Sequence, residues 1–323
     1  MMKRTLLAFS IALGLAATAH ANDAWPTKPV RVLVPAPAGS SLDVIVRTLG
    51  DKLKNRWGQP IVVDNKPGAG GMIGMDAVAK AAPDGHTLGI GFNGPIAFGP
   101  YMYKKMPYDP AKDLLPVVLT TSQPNVLAVQ ASNPARTLPE FVAWAKKQGG
   151  DKVNYASVGN GSSSHLTMEL FKSVTGIEAA HVPFAGSPPA GTSLAAGETQ
   201  ALFTVAPALL PLIQGGRIKL LAATSLKRTE GMPDLPTVAE SGYPGFEALA
   251  WNGLFAPAGT PAATVEKINA DVNAVLKDSA VRASLAKQGL VVGGGSSAEF
   301  KSFIDKEAKT WGAIIKKNGI TID

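Results

Sequence analysis

Apolar and polar positions along this chain switch between two periods, and the switching predicts the layout. Val30–Val34 reads as a strand. After a Gly/Ser loop, Leu42, Ile45, Val46, Leu49 and Leu53 recur at three- and four-residue spacing, which predicts a helix over about 42–57 with one buried stripe. Arg47, Asp51 and Lys54 fall on its polar face. The pattern then predicts a strand at 61–64, a helix of small residues at 75–82 that stops at Pro83-Asp84-Gly85, and a strand at Thr87–Phe92. An extended stretch at 115–130 carries Pro124 near its middle and is long enough to leave one lobe and enter another.

The same strand-loop-helix theme returns in the second half, without a sequence repeat. Thr137-Leu-Pro-Glu140 reads as a capping box opening a helix that runs to about Gln148. Asn154–Ser157 predicts a strand, 164–175 a helix, 179–182 a strand, and the region near Ala190 a short apolar helix. Extended segments follow at 202–205 and 219–224, and 250–256 returns the chain to the first lobe. Thr260-Pro261 reads as a cap with proline at the first helical position, and the next helix buries Val265, Ile268, Val272, Val275 and Leu276. Ser296 and Glu299 cap a last helix, whose Phe300, Phe303, Ile304, Trp311 and Ile315 read as core. Strands alternating with helices predict an α/β protein whose mixed, mainly parallel sheets are covered by helices.

The first residues change the picture of where the chain works. Lys3 and Arg4 precede an apolar run from Thr5 to Ala17, and Ala19-His-Ala21 precedes polar Asn22 and Asp23, the three-part pattern of a secretory signal peptide over 1–21. The run is shorter than the roughly 20 apolar residues a membrane span needs, and no later stretch does better: 205–213 is brief and holds Pro207 and Pro211. The expected location is therefore the periplasm. No cysteine is present, which export permits. About 300 residues remain after cleavage, more than one core usually serves, which favours two lobes: 22–124 with 250–323, and 125–249. The formal charge of +7 falls to +5 once Lys3 and Arg4 leave with the signal. Basic residues are scattered, so nucleic acid is not an expected partner.

Two strand-to-helix loops carry the candidate chemistry. The first backbone N–H groups of a helix have no partner within it, and the helix dipole adds positive charge there, so a carboxylate binds without lysine or arginine. In the first loop, Ala38 and Gly39 bring the backbone close, Ser40 and Ser41 offer hydroxyls, and Asp43 caps or braces. In the second, Ser157, Gly159, Asn160, Ser162 and Ser163 are donors and His165 stands at the helix start, where a structural role outweighs a catalytic one. Asn93, at the end of the 87–92 strand, is a further candidate.

Enzymatic patterns are weak by comparison. Gly89-Ile-Gly-Phe-Asn-Gly94 has dinucleotide spacing, but its glycines fall inside a strand. Ser284-Leu-Ala-Lys287 lacks the Lys-Thr-Gly partner of penicillin-recognising enzymes. There is no Gly-x-Ser-x-Gly elbow and no Walker loop, and after cleavage only His86, His165 and His181 remain for metal chemistry. No metal and no cofactor are expected. A serine hydrolase using Ser162 or Ser163 with His165 stays as the enzymatic alternative, and a ligand-dependent partner of a sensor kinase as a second.

At these residues the chain resembles the Bug family, the extracytoplasmic solute receptors associated with tripartite tricarboxylate transporters. The resemblance spans essentially the whole mature chain through Trp25-Pro-Thr-Lys-Pro-Val-Arg31, Pro37-Ala-Gly39 to Asp43, Asn65-Lys-Pro-Gly-Ala-Gly-Gly71, Ala82-Pro-Asp-Gly85, Pro107-Tyr-Asp-Pro110, Asn154-Tyr-Ala-Ser157, Gly159-Asn-Gly161, His181-Val-Pro183, Asp234-Leu-Pro-Thr-Val-Ala-Glu240 and Phe255-Ala-Pro-Ala-Gly-Thr-Pro261. It implies a type II periplasmic-binding-protein fold, two lobes joined by crossing strands that close on a small carboxylate, and membrane transporter components as partners. It also implies that 38–43 and 157–163 grip the carboxylate. The chain departs from the family at Phe184-Ala185-Gly186, where members often carry a lysine, and at Thr204, where an aspartate is common. A carboxylate with an apolar or hydroxylated tail, and a monomeric receptor, are the resulting expectations.

Overall fold

The computed structural model describes residues 25–229 and 231–322; the signal-peptide segment expected at 1–21 lies outside them. The chain begins with β1 (Val30–Val34), α1 (Ser41–Trp57), β2 (Ile61–Asn65), α2 (Met72–Ala79) and β3 (Thr87–Phe92), with β1 parallel to β2 on one side and to β3 on the other. A π-helical turn at Gly94–Phe98 and the short α3 (Gly99–Met102) lead into β4 (Leu114–Gln130). There follow α4 (Leu138–Gln148), β5 (Asn154–Ser157), α5 (Ser163–Thr175), β6 (Ala180–Pro183), α6 (Ser187–Ala196), β7 (Ala201–Val205), α7 (Leu210–Gln214) and β8 (Ile218–Ala223). Here β5 is the parallel partner of both β6 and β7. The chain returns in β9 (Leu249–Pro257) and finishes with α8 (Ala262–Leu276), α9 (Ser279–Ala286), β10 (Val291–Gly294) and α10 (Ser297–Lys317).

The seventeen residues of β4 join the two halves of the sheet. From Leu114 to Pro124 the strand runs antiparallel to β9, whose other edge pairs with β3. From Asn125 onward it pairs instead with β7 and β8. Pro124 stands at that change of partner, where a residue without a backbone N–H costs the ladder little. Thr224 ties the crossing together: its hydroxyl accepts from Asn125 N–H at 2.9 Å and donates to the Ala248 carbonyl.

The helices form where the periodicity places them. The α1 stripe Leu42, Ile45, Val46, Leu49 and Leu53 is buried, Ser40 caps its start in extended conformation, and Gly58 ends it in the left-handed region that a glycine enters without strain. Its other end is held to α8 through Asp271, which accepts from Trp57 Nε1 at 2.9 Å and from Arg56 and Lys267. Trp251 of β9 is fully buried between Phe300 and Phe303 of α10, which covers the strands where they cross.

Three local expectations need correction. The helix expected at 75–82 is α2 at Met72–Ala79, because Gly71 in the left-handed region lets it start a turn earlier. Thr260 does not cap α8; Pro261 occupies that position, and the Thr260 hydroxyl donates back to the Pro257 carbonyl at 2.8 Å. At α4 the Thr137 hydroxyl caps Glu140 N–H as expected, yet the Glu140 carboxylate reaches Arg136 N–H, one residue before the cap. The box at Ser296 and Glu299 is complete.

Candidate ligand-binding cleft

The loops after β1 and β5 face one another across a cleft of about 620 Å³. Ser40 and Ser162 cap α1 and α5 in the same way: each hydroxyl oxygen accepts from the N–H three residues on, at 3.3 Å. Each serine carbonyl takes the next N–H, of Val44 and Leu166. That leaves Ser41 and Leu42 at one start, and Ser163 and Ser164 at the other, with N–H groups that have no partner among the described residues, and all four residues line the cleft. The other two helix starts on the wall differ: α6 opens Ser187-Pro188-Pro189, and its prolines supply no N–H, while at the start of α2 the Met72 N–H is bonded to the Ala69 carbonyl.

Charge is nearly absent from this wall. Among the described residues that line the cleft none is Asp or Glu, and Lys105, exposed at the rim, is the one basic side chain. Helix N-termini therefore dominate the local field, and their dipoles favour an anion. Phe92, Phe184 and Val205 give the wall apolar area, while the Thr204 hydroxyl lies 3.2 Å from that of Ser187. The floor is built by the crossing strands and carries four buried amide side chains, Asn93, Gln123, Asn125 and Asn252.

Eleven of the sequence candidates meet on this wall: Ser40, Ser41, Asn93, Gly159, Asn160, Ser162, Ser163, Phe184, Ala185, Gly186 and Thr204. Five stand off it. Ala38 and Gly39 are exposed in the loop beyond Ser40. Asp43 is buried behind it: burial by itself would raise its pKa, but hydrogen bonds from Arg47, Gly39 N–H at 3.0 Å and Asn65 outweigh burial and hold the carboxyl below its usual value. It braces the loop. Ser157 is fully buried, with its hydroxyl 2.6 Å from His181 Nε2 and bonded to Gly159, so it positions the second loop. His165 turns away from the cleft; its Nδ1 accepts from Gly161 N–H at 3.2 Å and its ring stacks on His181 at 4.0 Å between centroids.

This arrangement also disposes of the proton relay a serine hydrolase would need. The Ser162 hydroxyl is spent, donating to Gly159 O at 2.7 Å while accepting from His165 N–H; the Ser163 hydroxyl makes no hydrogen bond to His165, whose Nδ1 is taken by Gly161 N–H; and the side-chain Ser–His hydrogen bond that does form, Ser157 to His181, lies off the wall. Both imidazoles are neutral at neutral pH: burial, then the charge of Lys172, pushes His165 down to about 4, and burial, then its partner His165, pushes His181 down to about 3 against the pull of Glu169.

Apart from Asn93, the sequence reading missed the floor, and it missed one side of the cleft. Gln123, Asn125 and Asn252 stand on stretches read only as passages between the lobes, although a polar run from Thr120 to Asn125 inside an otherwise apolar strand was a visible signal. The glycine turn at 69–71, Tyr103 and Ile322 close the side; Ile322 is bridged to Tyr103, and its N–H donates to the Met102 carbonyl at 3.0 Å.

The two halves touch on both flanks of the cleft. A Cβ on Gly94 would come within 2.8 Å of the Gly161 carbonyl oxygen, and one on Gly70, which has φ of +62°, within 2.5 Å of that of Asn160. On the other flank Gly186 approaches Pro37, with 3.6 Å from its would-be Cβ to the proline Cδ. At Gly94 and Gly70 the glycine lets backbone meet backbone, and at Gly186 it leaves room for the proline ring.

Comparison with known proteins agrees with this architecture. The sequence pattern of the tripartite tricarboxylate transporter family receptor matches residues 45–320. Among solved structures, Rpa4515 of R. palustris with adipate superposes with a TM-score of 0.89 at 36% identity, covering 92% of this chain and 99% of that one. The periplasmic binding protein BugD gives 0.85 at 31% identity, covering 92% and 99%. MatC of Rhodopseudomonas palustris, with bound malate, gives 0.84 at 33%, covering 90% and 100%.

Proposed function

This chain belongs to the tripartite tricarboxylate transporter family receptors, a family of solute receptors rather than enzymes, and from that premise we propose that it is a periplasmic receptor for a small carboxylate, which it delivers to a tripartite tricarboxylate-type transporter. One observation carries the reading: two helix starts with unpaired N–H groups face each other across a cleft whose described wall holds no acidic side chain. One carboxylate group accepts from Ser163 and Ser164 on one side and from Ser41 and Leu42 on the other, with Asn160 and Ser40 beside it. Phe184, Ala185, Gly186 and Thr204 surround the remainder of the ligand. The adipate and malate of Rpa4515 and MatC are carboxylates of the size the cleft admits.

The lobes are 22–124 with 250–323, and 125–249, hinged where β4 exchanges β9 for β7 near Pro124. The glycine contacts across the cleft belong to the closed form, and ligand favours that form because it binds both helix starts at once. Such closure suits a monomer.

Among the described residues no helix is long and apolar enough to cross a membrane. The periplasmic reading rests instead on the family to which the chain belongs. A thermal-shift panel of mono-, di- and hydroxycarboxylates tests the function, since ligand at a hundredfold over Kd adds about 2.7 kcal/mol of stability. Failure of every carboxylate to raise Tm would refute it.

A further inference from the structure

At Asn93 the floor of the cleft has a hydrogen-bonding sense opposite to that of the walls. Asn93 donates through Nδ2 to the Leu249 carbonyl at 3.1 Å. A carbonyl accepts only a donor, so this bond sets which way the amide lies and leaves Oδ1, buried on the floor, without a partner. Gln123 Oε1 is also buried and unpartnered, and because no hydrogen bond holds this amide, the side chain can turn either end to a ligand. The two residues flank the same stretch of β9, because Leu249 is the acceptor for Asn93 and the adjacent Ala250 is the register partner of Gln123. Both residues line the cleft.

Buried polar atoms are almost always paired, and an acceptor left unpaired at a binding site calls for a donor. An ionised carboxylate cannot supply one; placed there it sets lone pair against lone pair. An ammonium supplies donors but brings a charge that no acidic residue of the described wall offsets. A hydroxyl donates without charge. We infer that the site selects carboxylates bearing a hydroxyl group, with Asn93 as the fixed acceptor of that hydroxyl proton and Gln123 as a second amide free to turn its oxygen to it. This rests on the carboxylate-receptor reading and adds to it the chemistry of the ligand's other end.

The test is calorimetry on the signal-cleaved protein with acids that differ by one group: malate against succinate, 2- and 3-hydroxybutyrate against butyrate, and malate against aspartate. The hydroxylated member of at least one pair binds about tenfold tighter, the factor that matches one hydrogen bond to a buried group, and malate exceeds aspartate. In Gln123→Met and Asn93→Leu that ratio falls toward one. Gln123 donates to no backbone carbonyl in the way Asn93 does, so Gln123→Met keeps the test alive if Asn93→Leu fails to fold. Binding of succinate and butyrate as tight as that of their hydroxylated partners, with ordered water on both amide oxygens in the crystal, overturns the inference and leaves the receptor reading standing. No binding by any of these acids overturns both.

Discussion

Ser163→Pro isolates the backbone as the anion-binding group. Ser163 is the first residue of α5, where proline fits helix geometry and removes only an N–H that the helix does not use. Proline also asks the residue before it to be extended, and Ser162 already is, with φ of −71° and ψ of 162°. The fold should therefore keep its Tm. The bound carboxylate loses one of two N–H donors at this start, and a hydrogen bond to a charged group is worth about 1.5–3 kcal/mol, so Kd should rise about 10- to 150-fold. Ser163→Ala is the comparison: it removes the hydroxyl, keeps the N–H, and should cost at most about tenfold. Calorimetry with the carboxylate that gives the largest thermal shift reads both variants. A Kd within twofold of wild type for Ser163→Pro, or a larger loss in the alanine variant than in the proline one, would refute the claim that unpaired amides hold the anion.

Gly94→Ala should hinder closure: its Cβ falls about 0.6 Å short of ordinary contact with the Gly161 carbonyl oxygen, so affinity should drop about 5- to 150-fold for a misfit of about 1–3 kcal/mol, with a smaller loss of Tm in the free protein because the same Cβ also meets the Phe92 ring at 2.9 Å. Unchanged affinity would place the Gly94 contact outside the bound form. For the stacked histidines the unfolded chain binds more protons than the folded one between the ordinary pKa of 6.5 and the depressed values of about 4 and about 3, so stability falls as pH drops through that window. His181→Gln should flatten the dependence of Tm on pH between 6.5 and 4.5; an unaltered slope counts against the buried neutral pair. Asp43→Asn puts an N–H₂ among three donors and should cost about 1–3 kcal/mol in urea unfolding, together with weaker ligand binding, because the first loop loses its brace. A loss confined to stability, with affinity intact, would free Asp43 of any part in shaping the site.

Elements governed by local physics were legible in the sequence. The stripe of α1, the strand at Thr87–Phe92 and the capping box of α10 each depend on residues within a turn or two of one another, whereas Ser40 and Ser162, read as ligand donors, spend their oxygens as caps of α1 and α5. The facing helix starts were legible too, because a Gly/Ser loop between a strand and a helix carries its own donors. What escaped depends on partners far away in the chain. Asp43 could be read as a brace, but its use of Asn65 could not, and nothing near Ser157 announces His181 as the group that takes its hydroxyl. Thr260 has the right residue type for a cap and is turned from it by a carbonyl three residues back. Apart from Asn93 the amide floor stayed hidden because β4 and β9 are long, buried and mostly apolar, and polar side chains on such strands face a ligand only when two lobes leave a gap above them.

Ile322 offers a practical consequence. Its side chain walls the cleft beside Tyr103, far along the chain from the two helix starts. An environment-sensitive fluorophore introduced at this position would sit at the mouth of the solute site and report on its filling. A biosensor built on this receptor should exploit that position, and a preparation meant for affinity measurement should leave it unaltered.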